Sequence, residues 1–398
     1  MGRRNATVRS AKQAEEAARR QAARDRVFGP PTEEMIRFRK DPGIIVFDEV
    51  WWRDHYYWLL ESGYMLRSRY HPDWTSPWPE GDPDWSTYEE AQRPPRLDIM
   101  DATRTADGAY VVLKRIRVEP YGSRELEITQ YLSSEPLASD PRNHSVRLLE
   151  TLQAPKDPAL HILVLPLLRP FDDPEFETFG EIIAFFSQMF EVLLNFIRLV
   201  SVDYSRTILY SQGLQFLHEH GVAHRDCTRL NIMMNADNLY LDQWHPPVKY
   251  YFIDYGLSTQ HKPGEIPLEF PVHGADKTVP ENQDQSNNFE SRCNPFPTDI
   301  YTLGNLIRRY FMKKYYGFGF MDTLVVDMVE NDPSKRPQID EVVDRFAKIR
   351  DSFPIWRLRN RPIPRKEFMV VTLWKESAHL ARTILLLIDH KSAIPDLP

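Results

Sequence analysis

The sequence has few cysteines, no long apolar run and little net charge, and each shortage excludes a class of protein. Two cysteines among 398 residues, Cys227 and Cys293, are too few for a disulfide framework or for a zinc site built mainly from thiolates. No stretch approaches the roughly 20 apolar residues of a membrane-spanning helix, and the apolar run 384–388 predicts a buried helix. The formal net charge of −7 gives no electrostatic reason to expect nucleic acid or an anionic membrane as partner. We therefore expect an intracellular protein of the cytoplasm or nucleus.

The sequence does contain a segment rich in tryptophan and proline. Residues 1–42 precede it, and their Ala-, Glu-, Gln- and Arg-rich part from Ala11 to Arg26 has no apolar stripe, which predicts a solvated tail. The tryptophans then concentrate between Trp51 and Trp85, a composition that disordered chains avoid. We expect these rings to pack on a core and not to stack on a ligand.

Strand patterns precede helix patterns along the chain. Asp107-Gly108 is a turn dipeptide typical of a β-hairpin, and strand-like runs lie on both sides of it. In chain order, the predicted elements are strands at Asp98–Arg104 and Tyr110–Ile116, a helix through Leu126, Ile128 and Leu132, and strands at Val146–Leu149 and His161–Leu168. Beyond Asp172 the patterns are largely helical. This order predicts an α+β protein in which a small sheet-rich part precedes a larger helical part.

Three short motifs carry polar residues suited to chemistry. His224-Arg225-Asp226 is followed, five places after its aspartate, by Asn231. Asp254-Tyr255-Gly256 comes next, at the end of a predicted buried strand, and Val279-Pro280-Glu281 follows it. A lone Asp-Tyr-Gly is usually a turn, but the three motifs in this order and spacing match one family.

The chain resembles the eukaryotic protein kinases, and in detail the fungal-type kinase family of mushroom-forming basidiomycetes. The blocks Asp299–Gly304 and Asp332–Pro337 extend the resemblance, which covers residues 43–350, and Ser133–His144 is especially similar to the fungal group. The resemblance implies a bilobal α+β kinase-like fold. Its parts are an N-terminal tail at 1–42, a β-rich N-lobe with an aromatic extension at 43–168, a helical C-lobe at 169–350 and a C-terminal helical extension at 351–398.

The resemblance also implies transfer of the γ-phosphate of ATP, with Mg²⁺, to a hydroxyl of a protein substrate. Phosphoryl transfer passes through a charge-rich transition state, so the protein mainly positions reactants and neutralises negative charge. Asp226 is then the residue that accepts or orients the hydroxyl proton, and Asn231 and Asp254 are hard oxygen ligands for Mg²⁺. Lys114 holds the α- and β-phosphates and is oriented by a carboxylate, for which Glu125 is the first choice and Glu127 the second.

In the family, adenine binds to the backbone of the hinge between the lobes. The hinge corresponds here to the segment from Leu165 to Leu168, where Pro166 still offers its carbonyl and Leu168 supplies an amide. Two further residues by resemblance form a buried salt bridge that braces the activation segment, Glu281 and Arg336. Losing either one leaves its partner unpaired.

The same resemblance suggests how the activation segment is regulated. Arg225 adjoins the catalytic aspartate, and in related kinases this arginine meets a phosphate on the activation segment. Ser258, Thr259 and Thr278 lie in that segment and are candidate phosphorylation sites. Asp299 is expected to fix the catalytic loop from beneath.

The chain departs from the kinase pattern in ways that leave alternatives open. No Gly-x-Gly-x-x-Gly loop precedes Ala102, which motivates a pseudokinase that binds partners or nucleotide without transfer. Thr228 stands where serine/threonine kinases have lysine, with Arg229 beside it, so serine or threonine is the expected acceptor and tyrosine the less favoured one. Small-molecule phosphorylation is a further alternative. The intact Asp226 and the Glu281 motif favour a protein kinase.

The segment Val192–Gln212 interrupts a helix pattern and predicts a retained intron. In kinases the helix before the catalytic loop often reads Gln, three residues, then Gly-Leu, two residues, Leu-His. Gln188 begins this pattern and Gly213 to His218 completes it, so removing 192–212 restores one amphipathic helix. Every valine codon begins with GT and glutamine can be encoded by CAG, so both splice-site dinucleotides are available. The alternative is a genuine surface insertion.

Overall fold

The computed structural model describes residues 43–395 except 46, 80–81, 83, 95, 119–123, 191–212, 236–247 and 284–291. The predicted tail at 1–42 and the segment 192–212 therefore lie outside the described residues. The chain divides into two compact units, the first ending at Val111 and the second beginning at Val112. The lobe boundary implied by the family resemblance lies elsewhere, at 168–169, and stays a prediction.

The described part of the first unit contains two short α-helices and two paired strands. They are α1 (Phe47–Asp54), α2 (Tyr56–Glu61), β1 (Tyr64–Leu66) and β2 (Ile99–Arg104). The strands run antiparallel, with Leu66 opposite Ala102. After β2 the N–H of Gly108 donates to the carbonyl of Arg104 at 2.8 Å, and Gly108 takes a φ of 74° that suits glycine. The predicted turn is therefore present.

Aromatic and charged side chains form the core of the first unit together. Trp52 is fully buried, and its indole N–H donates to the carbonyl of Leu97 at 3.1 Å. Arg69 is also buried, and its Nε lies 3.0 Å from a carboxylate oxygen of Glu49. A buried pair of this kind satisfies both charges locally. The expectation that the tryptophans of this segment pack on a core is confirmed for Trp52 and Trp78.

The second unit carries the rest of the strands in three small ladders. Its elements before the helical region are β3 (Tyr110–Arg117, which begins in the first unit), α3 (Glu125–Leu132), β4 (Glu150–Gln153), β5 (Leu160–Pro166) and β6 (Arg169–Pro170). Strand β3 lies beside β5, and β5 pairs antiparallel with β4. The strand predicted near Val146–Leu149 begins later, with β4 at Glu150, although the N–H of Leu149 already donates to the carbonyl of Val164 in β5 at 2.9 Å. The N–H of the buried Val146 instead donates to the carbonyl of Phe252 at 2.9 Å.

Short ladders position the loops that carry the motifs. These strands are β7 (Val222–Ala223), β8 (Ile232–Met234), β9 (Tyr250–Phe252) and β10 (Thr259–Gln260). Strand β8 pairs antiparallel with both β6 and β9, and β7 pairs antiparallel with β10. The His224 motif therefore follows β7, and the Asp254 motif follows β9.

Helices pack around a phenylalanine-rich core in the second unit. They are α4 (Phe179–Phe190), α5 (Gly213–Glu219), α6 (Phe296–Ile307), α7 (Asp322–Met328), α8 (Ile339–Asp351), α9 (Ile355–Leu358) and α10 (Met369–Ile388). Phe185 of α4 stacks on Phe171 with ring centroids 4.5 Å apart. Strands in small antiparallel ladders followed by this helical region make the protein a member of the α+β class.

The last helix corrects one expectation. The run 384–388 is helical, but of its residues only Leu386 is buried, and the other four are about half exposed or more. The apolar run predicted a buried helix, and the helix is confirmed whereas its burial is wrong. No helix among the described residues combines the length and the apolar content that crossing a membrane requires.

Candidate active site

Lys114 of β3 contacts two carboxylates from different parts of the second unit. Its Nζ lies 2.5 Å from Oε1 of Glu125, at the start of α3, and 2.7 Å from Oδ1 of Asp254, after β9. Lys114 is 5% exposed and Glu125 is 4% exposed, so water screens their charges far less than it screens a surface pair. Three of the predicted site residues are therefore in direct contact.

Helix periodicity explains why Glu125, and not Glu127, meets the lysine. Glu125, Ile128 and Leu132 lie on the buried face of α3, at the spacing of successive helical turns. Glu127 follows two positions after Glu125, which places it on a different face, and it is exposed. The structure therefore selects the first of the two carboxylates that the sequence offered.

Asp254 has a left-handed backbone conformation, with φ 64° and ψ 74°. This conformation costs a non-glycine residue on the order of 1 kcal/mol or more, so the neighbouring contacts have to impose it. Before it, the N–H of Ile253 donates to the carbonyl of Asn231 at 3.0 Å. After it, the N–H of Gly256 donates to Asp254 Oδ1 at 3.4 Å, and a Cβ on Gly256 would lie 3.1 Å from that oxygen. Glycine at this place leaves the carboxylate room to reach Lys114.

Asp299 of α6 fixes the loop that follows β7. The carboxylate is fully buried and accepts the N–H of His224 at 2.8 Å and the N–H of Arg225 at 2.5 Å. Its Oδ2 also lies 2.9 Å from Nε2 of His218. These bonds hold Arg225 at a φ of 68°, a second left-handed non-glycine residue. Cys227, next in this loop, is fully buried, and burial raises its thiol pKa, which argues against a nucleophilic role.

Asp226 and Asn231 form a hydrogen-bonded pair in the same loop. The Nδ2 of Asn231 donates to Asp226 Oδ2 at 2.9 Å and to the Asp226 carbonyl at 3.0 Å. The N–H of Ala275 donates to Asp226 Oδ1 at 2.9 Å. Burial raises the pKa of Asp226, the negative charge of Asp254 acts in the same direction, and the hydrogen bonds from Ala275 and Asn231 offset part of the rise. Asp226 is therefore a stronger base than a solvated aspartate.

The donor atoms at this site suit a magnesium ion that is also held by phosphate. Because Asn231 uses Nδ2 to bond Asp226, its amide oxygen remains as a hard ligand, together with the carboxylate of Asp254. Among the described residues, no group of three or more His, Cys, Asp and Glu side chains is arranged to hold a metal by itself. Mg²⁺ commonly takes one or two protein oxygens and completes its shell with water and substrate phosphate. The residues present therefore fit that ion.

The predicted hinge residues end the strand next to Lys114. Leu165 and Pro166 are the last residues of β5, which lies beside β3. Leu168 comes two residues after the end of this strand, next to the exposed Leu167. Leu165 is buried, whereas Pro166 and Leu168 are partly exposed. The three predicted hinge residues therefore lie at or just beyond the end of this strand.

The side chain of Arg225 is satisfied by backbone carbonyls. Its guanidinium donates to the carbonyl of Leu257 at 3.4 Å and, over a shorter distance, to the carbonyl of Phe270. Burial lowers the pKa of Arg225, while the nearby Glu269 opposes that shift. These two bonds hold the segment after Gly256 in place without a phosphate on that segment.

The three candidate phosphorylation sites differ in access. Ser258 is buried and donates its hydroxyl to the carbonyl of His224 at 3.0 Å, and Thr259 is buried in β10. Thr278 is exposed, but its hydroxyl donates to Asp276 at 2.7 Å, so a phosphate there would meet a like charge. Thr278 is the only exposed residue of these three, and its hydroxyl also accepts hydrogen bonds from the side chains of Asn305 and Tyr301.

Two contacts at the site had no signal in the sequence. The guanidinium of Arg229 makes two bonds of 2.9 Å to the carboxylate of Asp172, and the hydrogen bonds raise the pKa of Arg229. Gly274 packs so closely that a Cβ would lie 2.7 Å from Asp226 Oδ1. Both partners are distant in sequence, and neither lies in a recognisable motif. Only the folded chain shows that Arg229 is already paired.

Glu281 and Arg336 form a bidentate pair at the edge of α6. Nη1 and Nη2 of Arg336 each lie 2.7 Å from one carboxylate oxygen of Glu281. The arginine side chain is fully buried and also donates to the carbonyls of Glu330 and Pro297. Paired charges with this geometry anchor the segment after β10 to the helices.

No model of a known protein family matches this chain, and no curated protein matches it. The contacts among the site residues themselves therefore carry the functional interpretation.

Proposed function

We propose that this chain is a protein kinase with a bilobal kinase-like fold, which transfers the γ-phosphate of ATP to a serine or threonine hydroxyl of a protein. One observation carries the proposal. Lys114 lies between Glu125 and Asp254, at 2.5 and 2.7 Å, and Asp254 is joined through Ile253 to the loop that holds Asp226 and Asn231. A cation for phosphate, two metal ligands and a carboxylate for the hydroxyl are the groups that phosphoryl transfer needs.

Each side chain has a separate task in this proposal. The hydroxyl oxygen of the substrate bonds to the γ-phosphorus while the bond between that phosphorus and the bridging oxygen breaks, and ADP leaves with the electron pair. Asp226 orients the hydroxyl and takes its proton, which its raised pKa favours. Lys114 holds the α- and β-phosphates, and Glu125 fixes its position. Asn231 and Asp254 would hold Mg²⁺, which would supply positive charge against the phosphates when bound.

Nucleotide binding at the hinge completes the proposed site. Leu165, Pro166 and Leu168 present backbone groups at the end of β5, beside the strand of Lys114. Backbone recognition of adenine needs no particular side chain, so Pro166 contributes through its carbonyl although it has no N–H. The same strand pair then positions both ends of the nucleotide.

A phosphate-transfer assay tests the proposal. Purified full-length protein is incubated with radiolabelled ATP, Mg²⁺ and a mixture of Ser-, Thr- and Tyr-containing peptides. We expect Asp226→Asn to lower transfer by about 10²- to 10⁴-fold while Mg-ATP affinity stays nearly unchanged, because the group acts on the hydroxyl. Asp344→Asn on the exposed face of α8 is the matched control and should retain full transfer. Equal transfer by the wild type and Asp226→Asn would contradict the assignment.

Calorimetry separates the metal ligand from the base. Asp254→Asn replaces a charged oxygen ligand by a neutral amide, so we expect weaker ATP binding in the presence of Mg²⁺ and little change in its absence. Unchanged Mg-ATP affinity would count against Asp254 as a ligand.

One observation favours a second candidate, a nucleotide-binding module without transfer. Both carboxylate oxygens of Asp226 are engaged, one by Ala275 and the other by Asn231, and the sequence has no glycine-rich loop before β2. Because each carboxylate oxygen can accept a second hydrogen bond, a substrate hydroxyl has to share one of these oxygens with Ala275 or Asn231. Mg-ATP binding that Asp254→Asn weakens, with no transfer to any peptide, would establish this second candidate.

A further inference from the structure

Helix α10 (Met369–Ile388) is attached to the second unit by its polar face. Five of its side chains bond at 2.6 to 3.0 Å to groups outside the helix, and two of these bonds go to Glu367 in the connection that precedes it. They are Thr372 and Lys375 to Glu367, Glu376 to Arg361, His379 to the carbonyl of Arg359, and Arg382 to Glu177. An amphipathic helix usually buries its apolar face. Here the polar face is turned inward, which leaves the apolar face outward.

The apolar face of α10 is extensive. Seven large side chains on it are between 49% and 79% exposed: Val370, Leu373, Trp374, Leu380, Ile384, Leu387 and Ile388. The helix has 20 residues, so this face runs for about 30 Å. Contiguous apolar surface of this size marks an interaction site in a folded protein.

The outward residues follow a coiled-coil repeat. Positions 370, 373, 377, 380, 384 and 387 are spaced alternately by three and four residues, the a and d positions of three successive heptads. They read Val, Leu, Ser, Leu, Ile and Leu, and Trp374, Ala381 and Ile388 fill the adjoining e positions. The hydroxyl of Ser377 donates to the carbonyl of Leu373 at 2.9 Å, so a partner that covers it leaves no donor unsatisfied. This repeat is the pattern by which one helix packs along another.

The helix is also held rigidly at its C-terminal end. Arg359 donates to the carbonyl of Lys391 at 2.6 Å. The chain then packs on Gly180 of α4, where a Cβ would lie 1.8 Å from the carbonyl oxygen of Ala393. Because only glycine admits this approach, α10 is presented as a fixed surface and binding spends little entropy on ordering it.

We propose that two copies of this chain pair through the outward face of α10. None of the a, d and e positions carries a charge, so two identical faces meet without repulsion. At ~100 Å² of exposed apolar surface each, seven side chains on each of two copies bring roughly 1,400 Å² together, the size of a specific interface. Lys375 and Arg382 bond to carboxylates of the body, so the helix lacks the free basic rim with which amphipathic helices bind anionic lipid. This proposal does not depend on the kinase activity.

The molar mass of the full chain in solution tests the proposal. Light scattering after size-exclusion chromatography at micromolar concentration should give twice the chain mass. We expect Leu380→Glu, at the centre of the seam, to raise the dimer dissociation constant by about 100-fold or more and give a monomer. Leu380 is exposed in the single chain, so its replacement leaves the fold intact, which circular dichroism checks. Val326→Glu on α7 is the matched control, since Val326 is 62% exposed and should leave the dimer unchanged.

Two further measurements complete the test. Ser377→Cys should form an interchain disulfide under mild oxidation, and Val326→Cys should not, because only the former lies in the proposed seam. A wild-type chain that stays monomeric overturns the proposal. So does a monomer that binds vesicles of phosphatidylcholine and phosphatidylserine and loses this binding in Leu380→Glu, because the face is then a membrane contact.

Discussion

The pair of Glu281 and Arg336 gives an asymmetric prediction for protein stability. The side chain of Glu281 is only 7% exposed. In Arg336→Met its one remaining side-chain hydrogen-bond partner among the described residues is the hydroxyl of Thr298, at 2.8 Å. Removing one partner of a buried pair costs about 3–5 kcal/mol, because the other charge stays buried and uncompensated. We expect a loss of this size in the free energy of unfolding.

Glu281→Gln should cost less, about 2–3 kcal/mol. The amide of glutamine still accepts one hydrogen bond, and Arg336 keeps the carbonyls of Glu330 and Pro297 at 2.7 and 2.9 Å. What is lost is one charge-assisted bond and the charge attraction. The double variant Glu281→Gln, Arg336→Met leaves no isolated charge, so its cost should be smaller than the sum of the single costs.

The pH dependence supplies a second readout. Burial alone would raise the pKa of Glu281, but the hydrogen bonds and the charge of Arg336 outweigh it and hold the pKa below 4.5. The stabilisation is therefore complete at neutral pH and is lost as pH falls through the lowered pKa. In Arg336→Met the hydrogen bond from Thr298 remains, but the guanidinium no longer opposes the effect of burial, so the pKa of Glu281 rises. The carboxyl then binds a proton more readily, and the deficit in unfolding free energy relative to wild type should narrow in acid.

Urea unfolding at several pH values, followed by circular dichroism, measures all of these quantities. The conservative Arg345→Lys variant serves as control, since Arg345 is paired at the surface and a surface pair contributes about 0–1 kcal/mol. A loss below about 1 kcal/mol in Arg336→Met, or equal losses in both single variants, would refute the reasoning.

Three further predictions concern the site and the chain around it. Burial raises the pKa of Asp226 above its ordinary 3.8, so the rate of transfer should fall in acid with a midpoint above pH 3.8. Any residual activity of Asp226→Asn should lack this fall. A midpoint at or below pH 3.8 in the wild type would contradict the prediction. Lys114→Met should lower kcat and weaken ATP binding, because Glu125 and Asp254 then repel each other without their shared cation. The variant should retain the fold. Wild-type ATP affinity in calorimetry would show that the lysine does not hold phosphate. Deleting 192–212 should give a folded chain of unchanged or higher thermal stability, because Gly213 already lies against the end of α4, where its Cβ would be 2.6 Å from the carbonyl oxygen of Gln188. An insoluble product, together with transcripts that all retain these codons, would show that the segment belongs to the working protein.

Local patterns predicted the parts of the site that depend on short spacing. Asp226 and Asn231 are five positions apart and bond directly, so their motif fixes both their types and their contact. The choice of Glu125 followed from helical periodicity, and the turn at Gly108 from a dipeptide that tolerates a positive φ. The resemblance to kinases then implied a role for each of the site residues, which no single motif indicates.

Contacts between distant residues were beyond these patterns. Lys114 and Asp254 are 140 positions apart, and Arg229 and Asp172 are 57 apart, so nothing local indicates that either pair meets. The strand predicted near Val146–Leu149 starts later than expected, at Glu150, for the same reason. An apolar run shows that a segment is buried, and the neighbours that bury it decide whether a ladder forms.

The sequence by itself predicted a helix over the apolar run 384–388, and α10 contains it. Only the tertiary structure decided that the apolar side of α10 faces outward. Glu376, His379 and Arg382 bond to groups outside the helix, and these bonds turn the polar side inward. In the same way the sequence placed Ser258 and Thr259 after Asp254, whereas the ladder of β7 and β10 decided that they are buried. Spacing along a chain sets which residues share a face, and the surface against which that face packs is set by residues far away in sequence.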